Sequence, residues 1–187
     1  MAALLMRALT AAGYDVRLVS RLRSFSQEPD PGVYQDLKST AGVEAWRLVA
    51  DWSAPNADWR PDCWFTYHPY YKSPDWIGPD VCARLGLPYF TAEASYAAKR
   101  DEEPWAVWQA DVVSAVRGAA ASFCFTARDK EGLESLAPLA GPLVDLPPFI
   151  DPSQIPERER RPSKAAPRIG VAAMMRPGNK LESYIVL

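Results

Sequence analysis

The chain has little histidine and little cysteine. His68 is its only histidine, which excludes a multi-histidine metal site or a His–His dyad within these residues. The three cysteines, Cys63, Cys82 and Cys124, are far apart and odd in number. Their spacing gives neither a zinc site nor a disulfide framework, and it fits a reducing cytoplasm. No apolar run reaches the roughly 18 residues that a membrane-spanning helix needs. The glycine-rich signatures G-x-x-x-x-G-K-[ST] and G-x-G-x-x-G are missing, so neither a P-loop ATPase nor a standard dinucleotide site is supported. A G-x-S-x-G nucleophile elbow is missing too. No charge of one sign dominates. Twenty-one Lys and Arg face 23 Asp and Glu, a net charge of -2, so no general field favours nucleic acid or anionic membrane.

What remains is a protein with an ample core. Hydrophobic residues make up 48% of the 187, which is enough for one packed domain, or one and a fraction. The first twelve residues are apolar with one Arg. They lack a basic segment ahead of the apolar stretch and run into Gly13-Tyr14-Asp15-Val16, so they read as a helix end rather than a signal peptide. The one basic cluster, Arg158, Arg160, Arg161, Lys164 and Arg168 against Glu157 and Glu159, reads as a solvated linker.

The pattern alternates between helix and strand. Leu4, Leu5, Ala8, Leu9 and Ala12 share a helical face that Gly13 ends, and residues 16–20 read as a strand. Residues 21–33 are a loop. Tyr34, Leu37, Ala41, Ala45, Leu48 and Trp52 recur at helical spacing. Residues 62–67 are nearly continuously apolar, as a strand buried on both faces should be. Ser73-Pro74 has the form of an N-cap and first helical position, and Gly86 ends that helix. Residues 88–93 form the next strand, 94–103 a polar loop, and Trp105, Trp108, Val112 and Val116 a helix. Residues 122–126, 127–136 and 143–147 read as strand, helix and strand. A linker follows to Pro167, then a strand over 169–173, a turn, and a helix start after Lys180. This order predicts an α/β fold, a Rossmann-like parallel sheet flanked by helices. The seven tryptophans read as core rather than as sugar-stacking platforms.

In such sheets ligands gather at the carboxyl ends of strands, and three polar sets occupy those ends. The first is Tyr67 and His68, with Lys72 beyond. His68 is either bonded to loop backbone or functional. The second is Glu93, Ser95, Lys99 and Arg100. Glu93 is either an acceptor for a ligand hydroxyl or an ion-pair partner of Lys99. The third is Arg176 and Lys180, in a Pro-Gly turn between strand and helix. Two cations there suit a phosphate or diphosphate, because a helix start also presents unpaired N–H groups.

The order of these pieces resembles a family. A buried strand ends in Thr66-Tyr67-His68 and the next in Ala92-Glu93-Ala94-Ser95. Pro147-Pro148-Phe149-Ile150-Asp151 then precedes the linker, and Met174-Met175-Arg176-Pro177-Gly178-Asn179-Lys180 follows it. This is similar to bacterial glycosyltransferases of the two-domain GT-B type, in the large retaining group called family 4. The proline run resembles that group's P-x-G-[VI]-D crossing between domains, with Phe149 where the glycine stands. The resemblance implies an acceptor-side domain over 1–148, a linker over 149–167 and the opening of a donor-binding domain over 168–187. It implies that Arg176 and Lys180 hold the diphosphate of a nucleotide-sugar. Tyr67, His68, Glu93, Ser95 and Lys99 would line the acceptor side, with His68 the candidate catalytic residue.

Such an enzyme needs no metal or other cofactor, since fixed cations neutralise the leaving diphosphate. Its acceptor is a sugar or a lipid-linked sugar, so peripheral membrane contact stays open, and its place is the cytoplasm. The family's first strand and glycine loop would precede Met1, and its Glu-x7-Glu donor grip would follow Leu187. The expectation is therefore a fragment, poorly soluble and without transferase activity by itself. The competing readings are a Rossmann-like module that binds a nucleotide or partner without catalysis, and a remnant without function.

Overall fold

The computed structural model describes residues 1–102 and 104–154. Met1–Ile150 forms one compact unit. Five helices are α1 (Ala2–Ala11), α2 (Pro31–Ser53), α3 (Gly78–Leu85), α4 (Ala106–Arg117) and α5 (Ala127–Glu134). Four strands are β1 (Trp64–Tyr67), β2 (Tyr89–Ala92), β3 (Ala121–Cys124) and β4 (Leu143–Asp145). The strands form one all-parallel sheet in the simple order β1-β2-β3-β4. The fold is the expected α/β type with helices flanking a parallel sheet.

Alternation along the strands gives the sheet two unlike faces. On one face Trp64, Tyr89 and Cys124 meet Cys82 of α3, Ala115, Val112 and Val116 of α4, and Leu133 of α5. Winding steadily in one direction puts successive crossover helices on the same side. On the other face Phe65, Tyr67, Ala92, Phe123 and Phe125 pack under Leu5 of α1, with Leu146 and Phe149 alongside. Among the described residues that face carries α1 alone, and β1 is an edge strand of the sheet. All four residues of β1 are half-buried, where the sequence suggested burial on both faces.

Local chemistry sets the helix ends. Asp30 accepts from Val33 N at 2.8 Å and Pro31 occupies the first turn, so α2 starts three residues before the periodicity alone indicates. Thr126 Oγ1 accepts from Asp129 N at 3.1 Å and donates to Asp129 Oδ2 at 2.6 Å, a side-chain N-cap on α5. Gly86 ends α3 with φ +68, a left-handed turn that glycine takes without a Cβ clash.

Three expectations are corrected. Residues 16–20 form no strand; Val19 packs instead against the cluster of Ala41, Ala45, Leu48 and Val81. Asp15 at the head of this segment is held by Arg17 at 3.0 Å and by the Trp59 indole at 2.8 Å, so side-chain packing replaces a ladder. Trp46 is not core: it is 59% exposed, with the Arg84 guanidinium 3.9 Å above its ring. Ser73 does not cap α3, which starts at Gly78. The Ser73 hydroxyl lies 3.1 Å from that of Ser24.

Asp75 takes the capping role, accepting from Ile77 N and Gly78 N at 2.9 Å each. Its other carboxylate oxygen accepts from Thr66 and, at 3.1 Å, from the Tyr89 hydroxyl. Thr66 in turn accepts from the Trp64 indole at 2.8 Å. One carboxylate thus ties α3 to β1 and β2. Burial first, and then the charge of Asp75, hold the Tyr89 phenol well above its usual range. Asp75→Ala leaves all four donors unpaired. The expected loss is about 2–4 kcal/mol in chemical denaturation, with a smaller loss for Asp75→Asn.

Candidate functional site at the carboxyl edge of the sheet

The carboxyl ends of β1 and β2 are built alike. His68 follows β1 and its N–H donates to Ala92 O at 2.7 Å; Glu93 follows β2 and its N–H donates to Phe123 O at 2.9 Å. Each residue continues the ladder by one bond and then turns left-handed, His68 with φ +58 and Glu93 with φ +55. They are the positive-φ non-glycine residues of the described chain. Such a backbone costs an L-residue about 1–2 kcal/mol. Strain of this kind concentrates where function requires a particular side chain.

The two turns bring their side chains together. His68 Nδ1 lies 3.2 Å from Glu93 O and 3.8 Å from Glu93 Oε2. A ring nitrogen bonded to a carbonyl carries a proton, so in the neutral imidazole Nε2 is the acceptor. The rings of Tyr67 and His68 are 5.8 Å apart and those of His68 and Tyr70 4.8 Å apart. His68 and Glu93 remain reachable, with side chains 41% and 29% exposed. Glu93 Oε2 itself is sealed and has no hydrogen-bond partner among the described residues. Burial first, and then the Glu93 carboxylate beside it, push the Tyr67 phenol up to about 12. The set combines an imidazole acceptor, a carboxylate acceptor and a phenol donor. It can hold and orient hydroxyl groups and take a proton from one of them.

Of the residues singled out in the sequence, Tyr67, His68 and Glu93 meet here. Ser95 joins through its backbone, its N–H donating to Pro69 O at 3.1 Å. Lys99 sits exposed on a short 3-10 turn, Ala98–Arg100, and is not the partner of Glu93. Arg176 and Lys180, the proposed diphosphate pair, lie outside the described residues.

Sequence reading missed the contribution of residues 23–27. They return to this edge through Ser26 N–H to Lys72 O at 2.9 Å and Lys72 Nζ to Gln27 O at 2.9 Å. No motif marks such a loop–loop meeting. Nearby, past the ends of β3 and β4, a shallow depression of about 500 Å³ is lined by Thr126, Lys130, Glu131, Glu134 and Asp145. Lys130 is held by Asp145 at 2.8 Å, and the remaining acids disfavour an anion there. Among the described residues no three His, Cys, Asp or Glu gather as a metal centre. No described helix is long and apolar enough to cross a membrane.

The Tyr67–Glu93 contact is open to spectrophotometric titration. Tyr67→Phe is expected to remove a phenol that ionises near pH 12. Glu93→Gln is expected to lower that phenol's pKa while leaving it above the usual 10, because burial is the larger cause. An unshifted Tyr67 in Glu93→Gln contradicts the contact. Compared with known proteins, the chain matches no family model, no curated protein and no solved structure.

Proposed function

We propose that this chain carries the acceptor side of a glycosyltransferase of the two-domain GT-B type. In this reading a sugar passes from a nucleotide-sugar, with retention, to a hydroxyl held at the carboxyl edge of the sheet. The observation that supports it is the pair of left-handed residues, His68 and Glu93, on adjacent parallel strands. Their strain is unneeded by a sheet that could turn with glycine at either place. Glu93 would accept from an acceptor hydroxyl, Tyr67 and His68 would fix its direction, and His68 Nε2 would take its proton as the new bond forms. Holding the hydroxyl at one angle to the anomeric carbon supplies much of the rate, by removing orientational freedom beforehand. Arg176 and Lys180 would face the donor and neutralise the diphosphate as it departs. The enzyme's place would be the cytoplasm.

Saturation-transfer NMR on the 187-residue chain suits weak ligands. Neutral glycosides are expected to give signals that fall at least about fivefold in His68→Ala and Glu93→Ala, since each removes a hydrogen-bond acceptor for the ligand's hydroxyls. Nucleotide-sugars are expected to give signals that fall in Arg176→Ala and Lys180→Ala. Glycoside signals that are missing, or equal in all variants, would remove the acceptor-side reading.

A further inference from the structure

Every backbone N–H and C=O in a fold needs a partner, and those left over at a sheet edge invite another chain. Trp64 and His68, in and just after the edge strand β1, direct their N–H groups to the β2 side. They reach Pro88 O at 3.0 Å and Ala92 O at 2.7 Å. Along a parallel ladder alternate residues turn to opposite edges, so Phe65 and Tyr67 turn theirs outward. No described strand takes them. Edges are usually guarded by charge or proline, yet Trp64-Phe65-Thr66-Tyr67 holds neither.

A second row of free main chain runs beside this edge. Ahead of β1, Asp15 accepts from the Trp59 indole at 2.8 Å. Beyond β1, the Ser24 hydroxyl lies 3.1 Å from that of Ser73, and Ser26 N–H donates to Lys72 O at 2.9 Å. The segment between these anchors therefore follows β1 in the same direction. From Asp15 to Phe25 it makes no backbone–backbone hydrogen bond among the described residues, with β1 or with anything else. The same helices roof both rows, because Val19 of the segment and Trp64 of β1 pack on one cluster of α2 and α3, with Ala41, Ala45, Leu48 and Val81. Leu18 stands 65% exposed.

We infer that β1 and residues 16–20 flank a strand-acceptor slot, which takes one extended apolar segment of a partner polypeptide. The partner's main chain meets Phe65 and Tyr67 on one edge and the 16–20 row on the other, so two unpaired rows are satisfied by one strand. Its side chains toward α2 are short or β-branched, because Ala41 and Ala45 close that side at 1% and 0% exposed. Its sequence is uncharged. Arg17 is the only charged residue along either row, and Asp15 holds it at 3.0 Å. A second copy of this chain does not fit. Its β1 comes already bonded to its own β2 with one free edge, and the slot demands two. The slot does not depend on the transferase reading.

The probe is the capped peptide Lys-Val-Thr-Val-Ala-Val-Thr-Lys, with amide hydrogen exchange on the 187-residue chain as the readout. Saturating peptide is expected to slow exchange at least about tenfold at Phe65 and Tyr67 and at amides within residues 16–20, leaving α5 unchanged. Two further peptides carry N-methyl groups on alternate amides, one for each edge. Each is expected to bind at least about tenfold more weakly, since each loses main-chain donors to one row. Leu18→Pro, at an exposed position in no hydrogen bond where folding is safe, is expected to weaken the parent peptide about tenfold. Slowing at Phe65 and Tyr67 alone, with one N-methylated peptide unaffected, would mean simple edge addition and overturns the slot. Slowing without peptide that grows with chain concentration would assign the edge to a second copy and overturns it too. No slowing at either row, or equal affinity of all three peptides, overturns it outright.

Discussion

Two backbone hydrogen bonds organise this molecule, His68 N–H to Ala92 O and Glu93 N–H to Phe123 O. Each extends a parallel ladder one residue beyond its strand. The next atoms must leave the sheet, and the left-handed turn decides where the side chain goes. Because both turns have nearly the same φ on neighbouring strands, an imidazole and a carboxylate arrive side by side. A parallel sheet offers this at its carboxyl edge because all strands end there together.

The rest of the fold keeps those two bonds rigid. Asp75 locks α3 to β1 and β2 from one face. Leu5 of α1 closes over Ala92 and Phe125 from the other. The aromatic set of Tyr34, Trp76, Trp105 and Trp108 supports Tyr71 from below, with Trp105 5.0 Å from it. Tyr34 and Trp76 both donate to Asp111, at 2.7 and 2.6 Å, so their polar atoms are satisfied and the rings are free to pack. Aromatic mass that looks excessive in the sequence is the floor beneath the loop.

The alternation of strands and helices from residue 62 on, and the polar strand ends, are legible because continuous apolar runs followed by charged residues are strong signals. Tyr67, His68 and Glu93 were picked out on that basis and do meet. Other features were not legible, for physical reasons. Residues 16–20 have strand propensity, yet a strand exists only with a ladder partner, which no local pattern reports. The Ser73-Pro74 pair has the form of a cap, but Asp75 has stronger acceptors pointing the same way and wins the role. A positive φ is easily foreseen at glycine and not at histidine or glutamate. The return of residues 23–27 to the edge is a tertiary event with no sequence period.

A residue kept for ligand rather than for folding should cost stability by being there. Glu93 carries a left-handed backbone and a sealed oxygen without a partner, and its backbone bonds do not depend on its side chain. The decisive measurement is the unfolding free energy of Glu93→Gly in chemical denaturation. The expected result is stability equal to the native chain or higher by about 0.5–1 kcal/mol, because relief of the turn slightly exceeds the glycine entropy cost. A loss of about 2 kcal/mol or more would show that the Glu93 side chain holds the fold together, and would contradict its assignment to a ligand site.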